Sequence, residues 1–118
     1  MKIPGADRAI VSMEKLLGYS LNYAHEDGRH KAIVFEPALG ITVDNVGILR
    51  DKLLEIVQTE DARQLFTDQF GTRYRVDFLM VTEIGSAWVQ SGWIVDVDTD
   101  YPRLTTCLVI EKPRKKYG

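Results

Sequence analysis

The segment His25-Glu26-Asp27-Gly28-Arg29-His30-Lys31 is the most chemically dense stretch of the chain. It holds both histidines, an arginine and a lysine around one glycine. An imidazole titrates near neutral pH and can take or give a proton. Lys and Arg side chains can hold phosphate charge, the first as a compact ammonium and the second as a planar fork. The segment falls at an expected loop-to-helix junction, where free backbone N–H groups attract anions. The same residues also suit a polar surface loop. A second group, Arg103, Thr105 and Thr106, follows an acid-rich turn. A guanidinium or hydroxyl on a sheet face can bind phosphate, although threonine also suits a strand for packing alone.

Other candidate chemistry falls away on spacing. Asp96, Asp98 and Asp100 open like a calcium loop, but Tyr101 stands at the sixth position and Cys107 at the twelfth, where such a loop needs Gly and Glu. Cys107 is a single cysteine, so no internal disulfide framework exists. With His25 and His30 it falls short of the roughly four ligands of a structural zinc site. Alternation in its strand suggests a buried small hydrophobe. The common glycine-rich phosphate loops and hydrolase motifs are absent. Neither a metal nor an organic cofactor is expected.

These residues must be placed by a scaffold, and the chain supplies one in two halves. Ser12 can cap a helix over Met13–Leu21, with Leu16, Leu17 and Leu21 on one face. Arg29–Leu39 is a second expected helix, which Pro37 should end or kink and Gly40 should stop. Asp44 can cap a third, Asn45–Gln58, with Val46, Leu49, Leu53, Ile56 and Val57 as its apolar stripe. Strands follow: Gln64–Phe70, Arg73–Thr82, Ala87–Val97 and a last one opened by Pro102. Tyr74, Val76, Phe78 and Met80 alternate with Arg73, Arg75 and Asp77. Val89, Trp93, Val95 and Val97 should share a side, as should Leu104, Thr106, Leu108 and Ile110. Short connections between successive strands predict an antiparallel meander. The expected fold is α+β, with N-terminal helices packed on one face of a four-stranded antiparallel sheet.

With 118 residues and a net charge of -2, the chain is sized for one domain. Residues 1–111 are expected to form it, with 112–118 as a basic tail. Lys112, Arg114, Lys115 and Lys116 in that tail could touch a nucleic-acid backbone, or simply keep an end strand soluble. Charges interrupt the start, so no apolar signal core is expected. The longest uncharged stretch, Ile84–Val95, is too short for a membrane span. A cytoplasmic protein without a membrane partner is expected, with a homodimer through the open sheet edge as a possible assembly.

The string Lys15-Leu16, Tyr19, Leu21-Asn22, His25, Gly28, Lys31-Ala32, Phe35 and Leu39-Gly40 resembles an uncharacterised bacterial domain family. Its members read K-L-x-x-Y-L-L-N-x-x-H-P-x-G-G-x-K-A-x-F-F-x-x-L-G-F. Trp93-Ile94-Val95 and Pro102-Arg103-Leu104-Thr105-Thr106 resemble its second block, W-I-V … P-R-L-x-T. Here His25-Glu26-Asp27-Gly28-Arg29 replaces H-P-x-G-G, without the proline and the second glycine. The family resembles toxin–antitoxin and polymorphic-toxin domains, and by fold the barnase, EndoU, colicin and RelE group of ribonucleases. The resemblance implies a metal-independent ribonuclease-like toxin paired with a small antitoxin-like protein, with RNA as substrate. It implies His25 as base or acid, Lys31 as phosphate cation, and Arg103 and Thr106 as phosphate ligands. Arg29 and His30 would be further substrate-binding residues, His30 also a second acid. The other reading is a non-enzymatic protein-interaction domain, in which Arg103 bridges Asp98 or Asp100.

Overall fold

The computed structural model describes residues 1–17, 21 and 34–111. Four strands form one antiparallel sheet in sequential order: β1 Arg63–Asp68, β2 Gly71–Val81, β3 Ser86–Asp96 and β4 Pro102–Ile110. The α+β arrangement read from the sequence is the arrangement found. Tight connections between long neighbouring strands favour this order, because each hairpin closes a short loop.

The helices pack on one face of the sheet. α1 spans Met13–Lys15, and the Ser12 side chain accepts from the Lys15 N–H at 3.3 Å, the expected cap. Beyond it, the Leu21 N–H reaches the Leu16 carbonyl at 2.8 Å, five residues back, so the expected regular helix gives way to a wider turn. Leu16 and Leu21 are buried as expected, while Leu17 is exposed. α2 covers 34–39. Pro37 lies inside it and does not end it, since a proline φ is already helical. The stop comes at Gly40, whose φ of 69° suits glycine. α3 spans Val46–Thr59 and buries Val46, Leu49, Leu53, Ile56 and Val57. Its entry is fixed two residues upstream of the expected Asp44 cap, at Thr42. Thr42 accepts from the Asp44 N–H at 3.2 Å, and Asn45 accepts from the Thr42 N–H at 2.8 Å.

The core lies between α3, the N-terminal segments and the inner sheet face, where Tyr74, Val76, Phe78, Met80, Val89, Trp93, Leu104 and Cys107 are buried. Ser91 is fully buried among them. Its hydroxyl donates to the Val76 carbonyl at 2.8 Å and accepts from the Trp93 indole N–H at 2.8 Å. The N-terminal segment covers the start of the outer edge of β4: the Ile10 N–H bonds the Pro102 carbonyl and the Leu104 N–H bonds the Ile10 carbonyl, each at 2.9 Å. Among the described residues no helix is long and apolar enough to cross a membrane.

Two strand readings change. Val97 lies past the end of β3 and is 75% exposed instead of sharing the face of Trp93. In β4 the expected face of Leu104, Thr106, Leu108 and Ile110 breaks after its first member. Trp93 pairs with Leu104 but Gly92 pairs with Thr106, so Thr105 is an extra residue in the ladder. A one-residue bulge inverts every later side chain. Cys107 is therefore buried and Val109 packs against the core, while Thr106 turns to the other face.

Candidate functional site on the outer sheet face

The sheet face away from the helices carries two adjacent rows of unusual composition. Cross-strand pairing aligns Phe66, Arg73, Ile94 and Arg103 in one, and Arg63, Arg75, Gly92 and Thr106 in the next. Four arginines from three strands thus meet on one patch. They come together because β1, β2 and β4 each place an arginine at an outward position of the two-residue strand period. β1 contributes through a bulge of its own, between Gln64 and Phe66, which keeps both Arg63 and Phe66 on this side.

Arg103 is held by a two-point fork. Its Nε donates to Asp96 Oδ2 at 2.7 Å and its Nη2 to Asp96 Oδ1 at 3.0 Å. The partner is Asp96, where the sequence pointed to Asp98 or Asp100; Asp100 instead binds Arg8 at 2.9 Å. The reason is the pairing. Asp96 follows Ile94 by one strand period, and Ile94 is the cross-strand neighbour of Arg103. The Arg103 hydrogen bond holds the Asp96 carboxyl below the usual carboxylate range, and the nearby Arg73 charge acts in the same direction. Reciprocally, the carboxylate raises the guanidinium pKa of Arg103.

Arg73 lies over the Phe66 ring, 5.6 Å from its centroid. That stacking leaves the guanidinium edge available for hydrogen bonds while the ring covers its face. Arg75 grips Asp77 on its own strand, with Nη2 at 2.9 Å from Oδ2. Four guanidiniums therefore share the patch with two carboxylates, in a chain whose net charge is -2. At the far end of the same face the composition turns apolar, with Leu79, Trp88 and Ile110 in one row.

The structure brings Arg103 and Thr106 to the same face, which simple alternation would have separated; the Thr105 bulge does this. A Cβ at Gly92 would meet Thr105 Oγ1 and Thr106 Cγ2, each at 3.1 Å, so glycine accommodates both threonines where the bulge crowds them. His25, Arg29, His30 and Lys31 lie outside the described residues, as does the 112–118 tail. Cys107 is buried, away from this face. Arg63, Arg73 and Arg75 were not singled out from sequence. The signal that could have found them is their shared outward phase with Arg103, visible only once register is known.

The chain belongs to the family described as a domain of unknown function (DUF6883), which matches residues 2–111. No curated protein sequence matches it. Among solved structures, it is similar to a chain of a contact-dependent growth inhibition toxin–immunity protein complex from Klebsiella pneumoniae 342, with a TM-score of 0.65 and 16% identity. The likeness covers 86% of this chain and 99% of that one. At that identity it is a likeness of fold.

Proposed function

Starting from membership of that family, we propose that the protein is the RNA-cleaving toxin domain of a toxin–antitoxin or toxin–immunity pair, working without a metal and restrained by a small partner protein. One observation carries the reading: a net-acidic chain gathers Arg63, Arg73, Arg75 and Arg103 on the sheet face away from the helices, beside Phe66. Such a patch suits a phosphate backbone, and its aromatic ring suits an unstacked base. The fold shared with a chain of a toxin–immunity complex supports the pairing with a partner protein.

The chemistry follows from what RNA offers. The ribose 2′-oxygen attacks the adjacent phosphorus and the bond to the 5′-oxygen breaks. A 2′,3′-cyclic phosphate and a 5′-hydroxyl result. His25 would take the 2′-hydroxyl proton and His30 would deliver one to the leaving oxygen, or the reverse. Lys31 and Arg29 would hold the phosphate as its charge develops, with Arg103 and Thr106 completing the cradle from the sheet. Arg103 is pre-oriented for this by the Asp96 fork, which fixes its plane. The test is cleavage of a fluorescent single-stranded RNA in excess EDTA. Cleavage should persist there, and fall about 10²-fold or more in His25→Ala. Equal cleavage by wild type and His25→Ala, or none by either, refutes the assignment.

A second reading, a non-enzymatic interaction domain, is favoured by the pairing of Arg103 with Asp96 and by the exposure of Leu79, Val81 and Ile84. On that reading Arg103 is a structural brace and its loss changes stability without touching RNA.

A further inference from the structure

β1 is much shorter than the strand it pairs with. Its register reaches from Gly71 to Arg75 of β2 and stops. Among the described residues no strand covers the outer edge of β2 from there to Val81. Arg75 faces β1 through its partner Arg63. The Val76 carbonyl turns toward β3, where it accepts the Ser91 hydroxyl. Successive residues of an antiparallel strand bond to opposite sides, so the N–H and C=O groups of Asp77, Leu79 and Val81 point out of the sheet edge. Among the described residues none of them makes a further backbone hydrogen bond.

α3 runs beside this edge. Ile48, Asp51, Lys52 and Glu55 recur at helical spacing on one stripe and, with Met80 and Val81, line a depression of about 320 Å³. It continues past Ile48 and Val81 into a second hollow of about 440 Å³, where Ile41, Glu83 and Ile84 are among the walls. Ile48, Val81 and Ile84 are 51%, 68% and 66% exposed. The rim carries the carboxylates Asp51, Glu55 and Glu83 against a single amine, Lys52, which sits 3.5 Å from Glu55.

We propose that this groove receives an extended, basic segment of a partner protein, which adds to the sheet as a strand antiparallel to β2 and in line with β1. Unmade backbone bonds at Asp77, Leu79 and Val81 select an extended chain over a helix. The apolar floor takes alternate side chains of that strand, and the acidic rim selects lysine or arginine at the positions between. The acidic wall of the groove comes from α3, on the sheet face opposite the arginine rows, so the proposal stands whether or not the protein cleaves RNA.

The probe is a six-residue alternating lysine–valine peptide, followed by fluorescence polarisation and by amide hydrogen exchange of the intact protein. Saturable binding is expected, with exchange at Leu79 and Val81 slowed at least tenfold. Asp51→Lys with Glu55→Lys should weaken binding about tenfold. Val81→Pro, which deletes one outward N–H at an exposed strand end, should do the same. Far-UV circular dichroism checks that both variants fold, and each should match the wild-type protein in the RNA-cleavage assay. Equal binding of a glutamate–valine peptide, unslowed exchange at the edge, or no binding at millimolar peptide overturns the proposal. So does a dimer in sedimentation that Val81→Pro abolishes, because the occupant would then be a second copy.

Discussion

The hydroxyl of Ser91 is the most consequential small group in the inner face of the sheet. It is fully buried, donates to the Val76 carbonyl and receives the Trp93 indole N–H, both at 2.8 Å. Ser91→Ala removes both bonds and leaves the Trp93 N–H buried without an acceptor. A lost internal hydrogen bond costs about 1 kcal/mol, and an orphaned buried donor about 1–3 kcal/mol. Alanine recovers a little by being apolar, so the net loss should be about 2–3 kcal/mol. For a domain of this size that lowers Tm by roughly 8–12 °C. The assay is urea unfolding followed by tryptophan fluorescence, with Trp93→Phe and the double variant closing the cycle. Phe at 93 carries no N–H, so Ser91→Ala in that background should cost about 1–2 kcal/mol less. A Ser91→Ala protein within about 0.5 kcal/mol of wild type, or a cycle with no coupling, would show that the indole bond does not contribute.

Two further outcomes follow from the geometry around Asp96. Gly71 begins β2 at a φ of 148°, and a Cβ there would collide with the Val95 carbonyl, so Gly71→Ala should cost about 2 kcal/mol or more by thermal denaturation. The Arg103 fork lowers the Asp96 pKa, so its contribution is present above about pH 4 and is lost as pH falls through the lowered folded value. Arg103→Gln should return the Asp96 carboxyl, followed by NMR titration, toward the usual range. Because the pair is partly exposed, that substitution should change stability at neutral pH by under about 1 kcal/mol.

The parts of this fold that were legible in the sequence are those fixed by local periodicity. α3 was readable because five apolar residues recur at helical spacing. β2 was readable because Tyr74, Val76, Phe78 and Met80 alternate with charged residues. What escaped reading depends on register, which no local pattern encodes. The Thr105 bulge reverses the phase of β4, and only the pairing of Gly92 with Thr106 reveals it. The choice of Asp96 by Arg103 is of the same kind: three aspartates stand in the turn, and cross-strand alignment selects one. The arginine face is a further case, since Arg63 and Arg103 are forty residues apart in sequence and meet only through three strand pairings. His25, Arg29, His30 and Lys31 lie outside the described residues and are proposed as site residues on their chemistry and on the family resemblance.

The balanced charge of the chain hides a separation in space. Arg63, Arg73, Arg75 and Arg103 lie on the sheet face away from the helices, while Asp51, Glu55 and Glu83 rim the groove beside α3. A net charge of -2 would repel a polyanion if it were spread evenly. Gathered this way, the charges give the two sides opposite local fields, and at physiological salt each field reaches only about 8 Å. A phosphate chain and a basic strand would then approach from different directions without competing for one surface. This arrangement suits a domain that must meet both a nucleic acid and a protein. It also makes the two proposals separable, since a charge reversal at Asp51 and Glu55 sits on α3, on the opposite side of the sheet from the arginines that would face RNA.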